Sequence, residues 1–499
     1  MPCIESLTET QATGIDQYPD LYELWNRVSP ELITDPASVR DGINWDRLAN
    51  PLAVGVAGVQ RGDEGKGDEE NTLVQTAVDH GIQGIAVKAG GGGGSGHTFH
   101  PKYGPEDGIV FSVLPAAVDP SWKQIVGRGV LGRPDKLIRE ITLMKTLGYD
   151  VSPRRIMVDG AAFLSWEGFI KLDEAEEAKR GDKAIGTTKS GVGPSASTYV
   201  ARQGMNYACL LLPPDELKSK VVEEVDRVNR QLRALDSPRQ FDVDEVFRQF
   251  QQYGEFLGPY IQNTFHIVRK AMFSGEAVAI ELSQAYGLGR ETGIPRSLAS
   301  VDTSFGSFVR RYHLNERRIR TKIGVLKMVE TAVGNHILYA PIPLELQQTI
   351  YARTAERGRP EEGAVSKRKR GIQWLQVPMV RGAIETMGLT ALVLKKVDVL
   401  DQLPHLEFGT HYVFPDGEVT DVYDPEDPRM LDPRTTMRTI KMPGWNKPTA
   451  GITRFEDCPR ELQAGVAVLE KLFGIPIIAI GNGPHVDEKI KRPGYPYLS

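Results

Sequence analysis

Four stretches of this chain gather residue types that handle phosphate, protons and purine edges. The first is Gly58-Val59-Gln60-Arg61-Gly62-Asp63-Glu64-Gly65-Lys66-Gly67, between a strand and a helix. Its glycines expose backbone N–H groups at a helix N-terminus, which suits an anion. It is not a Walker A loop, because Gln60 stands where that motif has its first glycine and Gly67 follows the lysine in place of Ser or Thr. Nor does it follow the dinucleotide G-x-G-x-x-G order. Asp63 adds a carboxylate beside the phosphate site, able to bind magnesium or take a proton. The second stretch, Gly90-Gly91-Gly92-Gly93-Gly94-Ser95-Gly96-His97-Thr98, allows close backbone approach to a ligand and ends in a candidate acid, His97. The third, Ile185-Gly186-Thr187-Thr188-Lys189-Ser190-Gly191-Val192-Gly193-Pro194 with Arg202 beyond it, offers hydroxyls and amides to a phosphate monoester. An ordinary turn accounts for that stretch equally well. The fourth, Lys396-Val397-Asp398, ends a strand: its carboxylate can accept the two N–H donors on the N1 and 2-amino edge of guanine while the lysine stem covers the ring. From three residues alone, a surface ion pair explains it as well.

These residues need a scaffold, and the chain supplies a recognisable one. From Leu52 onward, short apolar segments with small residues alternate with segments of helical period, which argues for parallel α/β. Strands are expected at Leu52–Val56, Ile82–Val87, Arg155–Val158, Val278–Leu282, Leu389–Leu394 and Ile475–Ile480, and helices at Asp135–Leu147, Glu216–Leu235, Val243–Tyr253 and Arg460–Phe473. Because strands occur late as well as early, residues 51–499 are read as a single large domain behind an N-terminal extension, 1–50, with an amphipathic run near Leu21, Leu24 and Trp25. No repeat of fixed period appears. Arg353–Arg370, charged and without apolar period, reads as a mobile loop; Pro404–Met442, with β-type pieces such as His411–Phe414, reads as an irregular excursion or small β appendage.

The 499 residues leave ample chain for a core. With 60 Lys+Arg against 65 Asp+Glu and a net charge of -5, the chain lacks the broad cationic excess needed to coat nucleic acid. Cys3, Cys209 and Cys458 match no zinc spacing or C-x-x-C pair, which fits a reduced, cytoplasmic chain. No apolar run is long enough to cross a membrane, and Met1-Pro2-Cys3-Ile4-Glu5 does not open like a signal peptide.

In their order, the stretches resemble the adenylosuccinate synthetases, whose pattern runs Q-W-G-D-E-G-K-G-K, G-G-x-N-A-G-H-T, G-T-T-G-R-G-I-G-P, E-G-A-Q-G, T-T-G-R-x-R-R, T-K-L-D, P-G-W and S-T-G-P. Here the corresponding stretches are Gln60–Asp68, Gly91–Thr98, Gly186–Pro194, Glu281–Ala285, Val365–Gly371, Lys395–Asp398, Pro443–Trp445 and Gly481–Pro484. The chain looks like a divergent member of bacterial length with an N-terminal extension. The resemblance implies a P-loop-NTPase-related α/β fold, with a large, mostly parallel central sheet flanked by helices and small β excursions. It also implies a ligase that phosphorylates O6 of IMP with GTP and magnesium and then joins L-aspartate at C6.

Carried over by position, the resemblance makes Asp63 the N1 base and a magnesium ligand, with the Gly96 carbonyl as a second metal contact. His97 becomes the group that stabilises the transferred phosphate, and Lys66 sits on the nucleotide phosphates. Thr188, Ser95 and Gln284 would hold the acceptor nucleotide, with Arg202 reaching across a homodimer interface. Ser366, Arg368 and Arg370 would grip L-aspartate, a task suited to the planar fork of arginine. Gly65, Gly67, Lys396, Asp398 and Gly483 would hold GTP. Departures cluster at the nucleotide contacts: Arg61 replaces Trp, Asp68 replaces Lys, Gly94 replaces Asn, Lys189-Ser190 replace Gly-Arg, and Gly481 replaces Ser. They leave open a different acceptor, such as dGMP or a nucleoside-analogue phosphate, and ATP as donor. An inactive nucleotide-binding regulator is the alternative from another class, and retention of Asp63, Lys66 and His97 speaks against it.

Overall fold

A ten-stranded sheet spans the protein. Its strands are β1 (Asn50–Gly58), β2 (Gly84–Lys88), β3 (Trp122–Val126), β4 (Ile156–Asp159), β5 (Ile261–Gln262), β6 (Ala277–Ala285), β7 (Ile319–Lys327), β8 (Ala391–Lys395), β9 (Ile477–Gly481) and β10 (Lys489–Lys491). Their spatial order is β10-β9-β8-β7-β1-β6-β2-β3-β4-β5. Neighbours pair in parallel throughout, except that β10 runs antiparallel to β9 at one edge. The computed structural model describes residues 49–94, 96–295, 298–332, 336–356, 361 and 369–497. Asn50–Ser499 cluster as one unit. The extension 1–48, with Leu21, Leu24 and Trp25, lies outside the described residues.

The central strands read as apolar runs because helices cover both sheet faces, so successive side chains on either face are buried. Ala53, Val54, Val56 and Ala57 of β1 are all buried, as are Val278, Ala279 and Ile280 of β6. All six strands expected from the sequence are present, and so are all four helices, as Pro134–Thr146, Pro214–Ala234, Val243–Leu257 and Arg460–Phe473. β3 and β7 went unread because charged residues interrupt them, Lys123 in one and Arg320 and Lys322 in the other. Helix α1 (Lys66–Asp79) follows the first glycine loop and buries polar residues, among them Glu69, Glu70, Asn71, Thr72 and Thr76. Two further helices position the site, α2 (Glu167–Arg180) and α3 (Val192–Val200).

The β appendage is a second, five-stranded sheet: His405–Val413 pairs with Thr436–Pro443 and joins Val329–Ala332, Gly371–Gln376 and Val419–Thr420. The expected loop at Arg353–Arg370 needs correcting at its start. Residues 353–356 complete the helix Leu344–Glu356, which is seated by buried Ile350 and Thr354. Glu361 is also buried, whereas 357–360 and 362–368 lie outside the described residues. Among the described residues, no helix is long and apolar enough to cross a membrane. Cys209 and Cys458 are free thiols, and Cys3 falls outside the described part.

In an open parallel sheet, ligands bind beyond the carboxyl ends of the strands, where the connections diverge. Five of the stretches singled out above leave that edge: Gln60–Lys66 follows β1, Gly90–Gly96 follows β2, Gln284 ends β6, Lys396–Asp398 follows β8 and Asn482–Pro484 follows β9.

Candidate active site

The turn from β1 into α1 is shaped by left-handed backbone at Gly62, Asp63 and Gly65, with φ of 95°, 59° and 89°. A non-glycine residue in that region is held there by its surroundings. Glu64, fully buried, closes the turn: its carboxylate accepts N–H from Gln60 at 3.2 Å and Gly62 at 2.8 Å and pairs with Lys66 Nζ at 2.9 Å. An internal anion thus sits where the glycine amides and the lysine converge. That is physical support for reading the turn as an anion cradle.

Asp63 lies at the centre of a charge cluster. Its carboxylate lies 2.7 Å from Lys396 Nζ, 2.8 Å from an Arg370 guanidinium nitrogen and 3.7 Å from Lys327 Nζ, yet it remains 32% exposed and so reachable by a ligand. Burial alone would raise its proton affinity, but Lys396, Arg370 and Lys327 outweigh that and hold it well below the usual carboxylate range. Glu361 shares two of these cations, at 2.8 Å from Lys396 and 2.8 Å from Arg370. Burial would lower the Lys396 pKa, but Asp63 and Glu361 raise it, so the lysine stays charged. The result is an alternating square of two carboxylates and two cations, assembled from the first loop, β8 and the segment before Gly371.

His97 begins the short strand His97–Phe99 and packs against α1. A Cβ on Gly67 would come within 2.7 Å of His97 Cβ, so glycine is what lets the ring approach the helix. Its Nδ1 contacts Glu281 Oε1 and lies 3.1 Å from Lys88 Nζ, while Lys88 is 2.9 Å from Glu281 Oε2. Burial pushes the His97 pKa down; Glu281 pulls it up and Lys88 down, and the net shift is downward. Glu281 is held ionised against its own burial by His97 and Lys88.

The third stretch is held by carboxylates of α2. Glu177 accepts the N–H groups of Ile185, Gly186 and Thr187, and Asp173 takes the Thr187 hydroxyl at 2.8 Å and the Gly191 N–H at 3.0 Å. Thr188 donates to Ser190 Oγ at 3.1 Å. A Cβ on Gly94 would stand 2.8 Å from Thr188 Oγ1 and 3.1 Å from Ser190 Cβ, so the second and third stretches meet in direct contact. Gln284 has φ of 60° at the end of β6 and lies beside Gly91. Arg202 is exposed just beyond α3.

Asp398 is fully buried in a short turn after β8, and Gly483 lies under the Glu488 carboxylate. The departure at position 68 is matched by others nearby. Asp68 pairs with Lys395 and Lys489, each at 3.0 Å, and the Lys395 stem passes 3.0 Å from where a Cβ on Gly481 would stand. Ser95, Ser366 and Arg368 lie outside the described residues. Sequence reading gave no role to Glu64, Lys327 or Glu361 and missed the pairing of Glu281 with His97; of these, Glu64 and Glu281 stood inside motifs, whereas Lys327 and Glu361 did not. Among the described residues, no group of three or more His, Cys, Asp or Glu side chains could hold a metal ion. One accessible carboxylate beside a phosphate loop suits magnesium, which takes few protein ligands and completes its shell with water and substrate phosphates.

The arrangement has relatives. The adenylosuccinate synthetase family model matches residues 55–490. An adenylosuccinate synthetase of Aspergillus flavus is 30% identical over 446 residues, covering 88% of this chain and 99% of its own. Among solved structures, a fully ligated adenylosuccinate synthetase from Plasmodium falciparum superposes with a TM-score of 0.80 at 22% identity, covering 88% of this chain and 100% of that one. The cyanophage S-2L succinoaminodeoxyadenylate synthetase, bound to dGMP and dATP, gives 0.50 at 16% identity, covering 89% of this chain and 96% of that one, and so shares the fold more loosely. With the family model matching residues 55–490 and a curated relative 30% identical over 88% of the sequence, this chain belongs to the adenylosuccinate synthetase family of ligases that form a C–N bond.

Proposed function

We propose that this enzyme uses GTP to phosphorylate O6 of IMP and then joins L-aspartate at C6, giving adenylosuccinate, GDP and phosphate. The observation that carries the reading is the convergence on Asp63 of Lys396 at 2.7 Å and Arg370 at 2.8 Å, residues from separate motifs. Asp63 takes the N1 proton. Paired with two cations it is a weak base; when substrate anions draw Lys396 and Arg370 away, its proton affinity rises toward what the step requires. Deprotonation at N1 places electron density on O6, which attacks the γ-phosphorus of GTP and releases GDP. The amine of L-aspartate then adds at C6 and phosphate leaves.

Lys66, released from Glu64, and His97 offset charge building on the phosphoryl oxygens, while the amides of Gly65 and Gly67 face the donor phosphates. Asp63 and the Gly96 carbonyl would hold magnesium, which supplies further neutralisation of those oxygens. Thr188, Ser95, Gln284 and, from a second subunit, Arg202 hold the acceptor nucleotide. Ser366, Arg368 and Arg370 bind L-aspartate, and Lys396, Asp398 and Gly483 form the guanine pocket. The same reading makes the protein a cytoplasmic homodimer whose catalytic domain begins near residue 51.

One observation favours a second reading of the acceptor. Thr188 and Ser190 fill the space that a side chain at position 94 would take, so the acceptor loop is reshaped where the family pattern has asparagine. That supports another 6-oxopurine nucleotide, dGMP or an analogue, with the chemistry unchanged. The deciding experiment offers IMP, dIMP, GMP and dGMP in turn, with L-aspartate, magnesium and GTP or ATP, and measures phosphate release. IMP with GTP is expected to give the highest kcat/KM; dGMP ahead of IMP would establish the second reading.

A further inference from the structure

We infer that Glu281 is the positioning residue of His97, fixing which ring nitrogen is turned to the reacting phosphoryl group. The inference rests on the reading that His97 serves that group. Glu281 and Lys88 are direct cross-strand partners on β6 and β2, and both side chains are buried, at 0% and 1% exposure. A lone buried carboxylate is costly, and the 2.9 Å ion pair with Lys88 is what keeps Glu281 charged in the core. Its other oxygen, Oε1, contacts His97 Nδ1. Glu70 of α1, also fully buried, neighbours Glu281, and burial together with that carboxylate pushes its proton affinity up. Its Oε2 accepts the Ala116 N–H at 2.6 Å.

The ring is therefore held from two sides. Gly67 of α1 bounds it at Cβ, and the Glu281 carboxylate takes the Nδ1 hydrogen. Nε2 is the remaining nitrogen, and it is the atom left for a ligand. To offset charge on a phosphoryl oxygen the ring must donate a hydrogen from Nε2 while Nδ1–H stays on Glu281, so the ring then stands between the Glu281 carboxylate and the phosphoryl group. The competing arrangement has Lys88, 3.1 Å from Nδ1, donating to that atom instead. It would put the hydrogen on Nε2 before any ligand binds.

The test is nitrogen-detected NMR of the histidine rings at one fixed pH near 8, with His97 assigned by its loss in His97→Asn, joined to steady-state kinetics. The wild-type ring is expected to carry hydrogen on Nδ1. In Glu281→Gln, Nδ1 occupancy should fall and kcat should drop about 10²-fold or more, with KM for both nucleotides within about twofold. If Glu281→Gln fails to fold because Lys88 is left uncompensated, the pair Glu281→Gln with Lys88→Met removes both charges and should show the same two changes. A wild-type Nδ1 without hydrogen, or a folded variant with unchanged kcat, overturns the proposal. If the wild-type protein turns over none of the four acceptor nucleotides, the functional reading fails, while the ring measurement still decides the role of Glu281.

Discussion

Asp63 is held in a conformation few non-glycine residues adopt, with φ of 59°, and with two cations within 2.8 Å. Its removal should separate chemistry from binding. Asp63→Ala is expected to abolish turnover, while calorimetry still detects the donor nucleotide, because the glycine amides and Lys66 remain. Near-normal turnover would remove Asp63 from the chemistry. Asp398 makes a second prediction, on donor choice. Its buried carboxylate suits the paired N–H donors of guanine, and a site built for hydrogen bonds rejects an analogue lacking them by as much as about 10⁴-fold. Asp398→Asn should lower kcat/KM for GTP and raise it for xanthosine triphosphate, whose ring presents an acceptor in place of the 2-amino donor. Equal wild-type rates with ATP and GTP would count against a guanine pocket. At this scale the sequence was informative about residues lying inside motifs, such as Asp63, Lys66 and His97. It gave no role to Glu64, whose turn-closing contacts are local but depend on the backbone shape, and was silent on Lys327 and Glu361, single charged residues whose meaning arises only when distant segments are brought together.

Helix α1 illustrates what element-level patterning can and cannot reveal. Its inner face carries half-buried Asp68 and buried Glu69, Glu70, Thr72 and Thr76, each with at least one polar partner, such as Tyr495 on Glu69 at 2.7 Å and Lys489 and Lys395 on Asp68. Apolar periodicity is absent from its first turns, and the glycine loop ahead of it was the signal that a helix follows. The apolar strands β1, β6 and β8 were legible for the opposite reason, since both of their faces are buried in hydrocarbon. Gly67 offers the test at this level. Alanine in a helix interior is favoured over glycine by about 1 kcal/mol, but here a Cβ would meet His97 Cβ at 2.7 Å. Gly67→Ala should therefore lower kcat at least about tenfold, with a melting temperature close to wild type, because the element displaced is the short strand that carries His97. Unchanged kcat would show that His97 does not depend on that approach.

Across the whole molecule, the sheet order places β1 at the centre and brings five loops, from position 60 to position 484, to one edge. Arg202 stands apart from it, exposed beyond α3, which is the expected position for a residue that serves a second copy of the chain. Mixing Arg202→Ala with Asp63→Ala subunits should recover about a quarter of wild-type activity after random exchange, because each mixed dimer has one intact site. No recovery after verified exchange would argue that each subunit is self-sufficient. The central claim is that O6 of the acceptor is phosphorylated and then lost. IMP labelled with ¹⁸O at O6, incubated with GTP, magnesium and L-aspartate, tests it most directly by mass spectrometry of the released phosphate. The account predicts one ¹⁸O in each phosphate formed; phosphate free of label would contradict it.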